Sequence, residues 1–221
     1  MKATEHRGAY TAERAAALSG VPKSTVHYWA RREILVPGVS VDRVKLWSYA
    51  DLMGLRTIHW LRQRKQTESG ADVPRTAMPA VRRALGELRE FDLGLWTENA
   101  EPRVAVDRNG AIHLRVTGGF EALDGSRPLE PDLLDLIRPF ATVGMEGPDL
   151  HAPRPLLRIV PGKLAGSPHI VHTRIETLAI DALGKRDLSP ERIRALYPVV
   201  EAAAITDALD LERQLGRNLA A

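Results

Sequence analysis

Not one of the 221 residues is cysteine. Disulfides and thiolate metal sites are therefore excluded, and the composition fits a reducing compartment. No apolar run approaches the roughly 20 residues that cross a bilayer. Residues 1–10 lack the apolar core of a secretory signal, so the expected location is the cytoplasm, with no membrane partner. Gly118-Gly119 and the Gly162 to Gly166 spacing are not followed by the Lys-Ser or Lys-Thr of a phosphate loop, which argues against nucleotide binding. Asp132 and Asp135 read as a solvated helix face rather than a catalytic carboxylate pair. His169 and His172, near His151, have no cysteine or acidic cluster beside them and read as exposed loop histidines rather than metal ligands. No catalytic residue, metal or cofactor is expected, and the chain reads as a non-enzyme.

What is present is an uneven distribution of charge. Residues 1–90 hold 16 Lys and Arg against 9 Asp and Glu, residues 91–149 hold 5 against 11, and residues 150–221 hold 10 against 8. A basic first third followed by an acidic middle suggests a polyanion-binding module attached to something with another task.

The basic third is organised around residues 11–36. Ala15, Ala16 and Leu18 share one face of a helix that Thr11 can cap, and Ser19-Gly20 breaks it. A second run begins at Pro22 with Val26 and Trp29 facing inward. Two helices crossing steeply need a small residue at the contact, a turn residue tolerant of positive φ and an apolar residue beyond it. Ala16, Gly20 and Val26 meet those needs. The outer face of the second helix carries Lys23, Ser24, Thr25, His27, Tyr28, Arg31 and Arg32, side chains suited to phosphates and base edges. Pro37-Gly38 stops the run. Residues 39–41 and 44–47 then alternate as two short strands around Asp42-Arg43, a wing with Arg43 and Lys45 as candidate phosphate contacts. Ser48 and Asp51 form a capping box for a third helix, with Leu52, Leu55, Ile58 and Leu61 at helical spacing.

Residues 20–29, then Leu35, then residues 47–52 resemble the winged helix-turn-helix of MerR-type regulators over roughly residues 10–90. The resemblance implies a recognition helix at 22–33 entering the major groove. His27 stands where many relatives carry Arg. No heptad run follows the next expected helix, 75–90, in which Met78, Val81, Leu85 and Leu88 face inward, so a MerR-style coiled-coil dimer is not expected.

From residue 93 the period changes to two. A two-residue Asn109-Gly110 turn would set Val104 and Val106 on the face opposite to Ile112, Leu114 and Val116. A three-residue loop, Arg108-Asn109-Gly110 with Gly110 left-handed, sets them together and is preferred. Residues 128–140 are expected to contain a short helix with Leu133, Leu134 and Ile137 inward, and residues 141–155 to form a linker. Beyond them come a short extended piece at 157–160, a helix over about 176–184, a second from Ser189-Pro190 to about Leu196, and a last over roughly 201–215.

This last part resembles the domain of unknown function 433, found in some antitoxins of the VapB type. The resemblance rests on Gly166-x-Pro168-x-Ile170, Thr173-Arg174-Ile175, Leu183-Gly184, Ser189-Pro190-Glu191 and Tyr197-Pro198. His172 stands where relatives usually have Gly. Thr173 and Arg174 admit two readings: a helix cap with an internal ion pair, or part of a surface that meets a partner.

The expected architecture is mainly α with small β-hairpins: an N-terminal winged helix-turn-helix joined to a C-terminal three-helix, helix-turn-helix-like domain. The divisions are 1–92, 93–150 and 151–221. Together the resemblances imply an antitoxin and autorepressor that binds operator double-stranded DNA as a homodimer and silences a PIN-like ribonuclease toxin. Arg174, Arg213 and Arg217 are the candidate toxin contacts. The alternative is a ligand-responsive MerR-type transcription regulator without a toxin; a tail that serves only dimerisation is a third reading.

Overall fold

In the computed structural model the described residues are 7–63, 65–66, 72–73, 75–90, 92–100, 103–116, 119–122, 133–142 and 144–220. The Thr11 hydroxyl accepts the Arg14 amide and starts α1, Ala12–Ser19, which ends at Gly20 with φ 74°. α2, Lys23–Arg31, follows, and α3, Tyr49–Arg62, begins at the Ser48–Asp51 capping box. Ala15, Ala16, Leu18, Val26, Leu52, Leu55, Ile58 and Leu61 are all buried, as the helical spacing predicts. The two strands expected around Asp42-Arg43 reduce to one bridge, Ser40 opposite Leu46. Val41 and Val44 are 56% and 61% exposed, so no apolar face holds a longer ladder together.

Lys65–Gln66 (β1) and Asp72–Val73 (β2) pair ahead of α4, Met78–Glu90, which packs along α3. Of the loop expected at 70–74, residues 70, 71 and 74 lie outside the described residues. Val104–Asp107 (β3) and Ile112–Val116 (β4) pair antiparallel with Val106 opposite Ile112 and Val104 opposite Leu114. That is the register of the three-residue loop, with Gly110 at φ 82°. Gly119–Ala122 (β5) lines the far edge of β4.

Two expectations for the middle fail. Residues 133–135 are not helical; they form β6, Leu133–Asp135, paired with the free edge of β3. Three apolar residues at helical spacing carry little weight against a strand edge with unpaired backbone groups. Residues 128–132 lie outside the described residues. Nor is 141–155 a linker. Phe140–Thr142 (β7) and Met145–Gly147 (β8) form a hairpin, followed by buried Leu150 and His151. The hairpin docks on the α1–α2 turn: a Cβ on Gly20 would lie 2.6 Å from the Gly147 amide nitrogen, so glycine is required there for contact as well as for φ.

Leu157–Arg158 (β9) pairs with His169–Ile170 (β10). α5, Thr177–Gly184, and α6, Pro190–Leu196, both pack on α7, Ala202–Ala220. α7 runs five residues past the expected end at Leu215. The Asn218 amide donates to Ala17 O and Glu146 O, fixing the last turn against α1 and β8. Thr173 does not cap α5, whose N-cap is Glu176; its hydroxyl accepts from the Ile175 amide and donates to Ile170 O, closing a turn.

The described residues thus form seven helices and four small antiparallel sheets, with one continuous apolar core from Tyr10 to Leu215 to which all the helices and three of the sheets contribute. Arg56 of α3 lies inside it, fully buried. Its guanidinium donates to Leu18 O and Ser19 O at the end of α1 (2.9 and 3.2 Å), to Leu136 O, Ile137 O and Arg138 O (2.9, 3.3 and 2.7 Å), and to Pro148 O (2.6 Å). Removing those donors leaves several buried carbonyls unpaired. Arg56→Met should lower the unfolding free energy in urea by about 3–5 kcal/mol, with Arg56→Lys in between.

Candidate nucleic-acid interface

Three side chains hold α2 to the molecule: Val26, Trp29 and Ala30 are buried, and the Trp29 ring sits 6.4 Å from His59 of α3. The remaining positions face outward because a helix docked by one stripe leaves the rest in water. Lys23, Ser24, Tyr28, Arg31 and Arg32 are exposed, and Thr25 and His27 are half-buried. The Arg32 guanidinium lies 5.7 Å from the Tyr28 ring centroid, a cation–π contact that orients both. Beyond α2, Arg43 is exposed at the tip of the loop closed by the Ser40–Leu46 bridge, and Lys45 is half-buried at its base.

One acidic neighbour modulates this cationic face, and the sequence reading missed it. Glu13 of α1 meets Lys23, the first residue of α2, at 2.5 Å. The Lys23 ammonium holds the Glu13 carboxyl below its ordinary range. The pair is exposed, so it stabilises the fold little; it gives the Lys23 ammonium a carboxylate partner. Ten residues separate the partners, and only the crossing of α1 and α2 brings them together.

The tail candidates do not converge. Arg174 is exposed on the rim of a groove of about 910 Å³ walled by Leu156, Ile170, Val199 and Ala204, and it makes no ion pair among the described residues. Arg213 lies on α7, 3.4 Å from Asp210. Arg217 lines a separate depression of about 520 Å³ with Arg138 and Arg154.

Glu98 fixes the turn that carries Arg174. Its carboxylate accepts from Lys163, from His169 Nε2 at 3.0 Å and from the His172 amide at 3.0 Å. His169 and His151 are buried, contrary to the expectation of loop exposure; only His172 is exposed. Among the described residues no group of three His, Cys, Asp or Glu could hold a metal ion. Asp135 accepts the Ile137 amide and faces Arg103 at 3.8 Å, a structural role; Asp132 and Gly118 lie outside the described residues.

Residues 10–71 match the family described as MerR HTH family regulatory protein, and residues 158–210 match the family described as Protein of unknown function (DUF433). No curated protein and no solved structure matches the chain. The chain therefore carries a MerR-family helix-turn-helix domain with α2 as its second helix, and a domain of the uncharacterised family behind it.

Two measurements test this geometry. If about six cations meet phosphates, the logarithm of duplex affinity should fall with the logarithm of salt concentration at a slope of about −5, and Arg43→Ala should reduce that slope by about one without changing sequence preference. An affinity indifferent to salt would contradict the interface. Burial alone pushes the Glu98 carboxyl up, but Lys163, His169 and the His172 amide together outweigh it and leave it at about 2, against an ordinary 4.5. Its stabilising contribution is therefore complete above about pH 4.5 and lost as pH falls towards 2. In urea titrations across that window, Glu98→Gln should flatten the acid loss of stability.

Proposed function

We propose that this chain is a DNA-binding repressor of its own operon and the antitoxin of a PIN-like ribonuclease toxin. The observation that carries the first half is the outward basic face of α2 within a domain of the MerR regulator family. One recognition helix reads too few base pairs for a unique site, so a dimer would bind half-sites one turn apart, ~34–36 Å, or a multiple of it. Lys23, Ser24, Thr25, His27, Tyr28, Arg31 and Arg32 would occupy the major groove, with Arg43 and Lys45 on the adjacent backbone.

The second half is supported by Arg174, exposed and without an ion pair among the described residues, at the rim of an apolar groove in the domain of the uncharacterised family. Such a nuclease holds its metal with carboxylates, and a guanidinium placed among them would displace the cation. Arg213 and Arg217 lie away from that groove and would serve as peripheral contacts. Ligand-responsive regulation without a toxin is the second reading. One feature favours it, a cleft of about 510 Å³ between α1 and the pair α5–α7.

Co-expression with a small nuclease encoded beside the gene, where the neighbourhood holds one, decides between them. The intact chain should relieve the growth arrest the nuclease causes, and Arg174→Glu should abolish relief while leaving duplex binding unchanged. A neighbourhood without a nuclease, or relief indifferent to Arg174→Glu, would count against the antitoxin assignment.

A further inference from the structure

The cleft between head and tail has apolar walls and a polar floor. Leu164, Leu178, Leu215 and Leu219 line it, and Leu178 and Leu219 are 45% and 42% exposed at its mouth. At the floor Arg14 and Glu212 form a two-pronged ion pair at 2.6 and 2.7 Å, and Thr177 donates to the same carboxylate. The charge of Glu212 is therefore matched by Arg14.

Three further carboxylates line the cleft: Glu13, Glu176 and Asp181. Asp181 is paired with Lys185 at 2.6 Å and Glu13 with Lys23. Glu176 is half-buried and makes no side-chain hydrogen bond or ion pair among the described residues. The lining holds four carboxylates and two cations, Arg14 and Lys185. A concavity of this size suits a small molecule. Its charge excess favours one with a positive head, and its walls favour an apolar body.

From this we infer that the cleft binds a small amphipathic organic cation, its ammonium against Glu176 and its apolar body against the leucines. The inference rests on the ligand-responsive reading and gives that reading a ligand class. It also gives a route to DNA. Glu13 lines the same cleft and pairs with Lys23 at the first position of α2, so a positive charge held in the cleft weakens the hold of that carboxylate on Lys23. Lys23 released from Glu13 is free to meet a phosphate. Ligand and duplex then favour each other by the same factor.

The test uses the full-length chain and three probes of matched shape: phenylbutylamine, phenylbutanol and phenylbutyrate. By calorimetry without DNA, the amine should bind in the millimolar range expected for so small a ligand. It should bind about tenfold more tightly than the alcohol, with the carboxylate weakest. Glu176→Gln, where the side chain has no hydrogen bond among the described residues to lose, should erase the amine's advantage. Equal binding of all three, no binding of the amine below about 10 mM, or an advantage that survives Glu176→Gln would overturn the site. With a random-sequence duplex, saturating amine should raise affinity about threefold in the parent chain and leave Glu13→Gln unchanged. Amine that binds without moving duplex affinity would overturn the coupling through Glu13. Loss of duplex binding with no amine present would strike the DNA-binding reading instead.

Discussion

A guanidinium with no carboxylate in hydrogen-bonding reach among the described residues sits at the centre of this molecule, and the arrangement around it explains why the middle of the chain is folded at all. Burying a positive charge costs several kcal/mol even after relaxation. Here six carbonyls offset it, each hydrogen bond to a charged donor contributing roughly 1.5–3 kcal/mol. Burial pulls the Arg56 guanidinium down to about 10, with Tyr49, Asp149 and Asp135 pulling it back up, so it stays charged at neutral pH. Two of the carbonyls, Leu18 O and Ser19 O, belong to the negative end of α1, where a cation is favoured. The others come from irregular backbone at 136–138 and 148, where the Leu136 amide still reaches Val104 O and Ile137 O also takes the Leu150 amide. Without Arg56 that backbone would have to face water.

The same constraint marks the boundary of what sequence reasoning could reach. Features decided within a few residues were legible: the Thr11 cap, the left-handed Gly20, the Ser48–Asp51 box, the Ser189-Pro190 start and the three-residue loop at Gly110. Each follows from local hydrogen bonding or φ. What failed was decided at long range. Residues 133–135 became a strand because β3 had an edge free, a fact held thirty residues away. The Gly- and Pro-rich segment after 140 read as a linker because its composition is that of one; the donors that bury it are on α3. α7 outran its apolar period because Asn218 finds acceptors on α1 and β8.

The outward side chains of α2 were legible for the converse reason. A helix docked by a narrow stripe declares its solvent face in its own sequence, and Lys23, Arg31 and Arg32 stand where that stripe leaves them. Glu13 was not legible, nor was the ion pair of Arg14 with Glu212, almost two hundred residues on. Among the described residues α1 is tied by its terminal carbonyls to Arg56, by Arg14 and Ala17 O to α7, and by Glu13 to the first residue of α2. It is the physical link between the tail and the helix that would enter a groove.

How strongly the two ends influence each other follows from where those connections lie. Arg14 and Glu212 are 16% and 4% exposed, and Thr177 shares the carboxylate, so breaking that pair strands a buried charge at a cost comparable to a large part of a domain's stability. A signal routed through it would unfold the contact rather than adjust it. Glu13 and Lys23, 59% and 45% exposed, exchange partners at a cost of under about 1 kcal/mol, a few-fold in affinity. Moving a two-state equilibrium from one extreme to the other takes about 5.5 kcal/mol. Exchange at Glu13 would therefore grade the charge presented by α2 without switching α2 on and off.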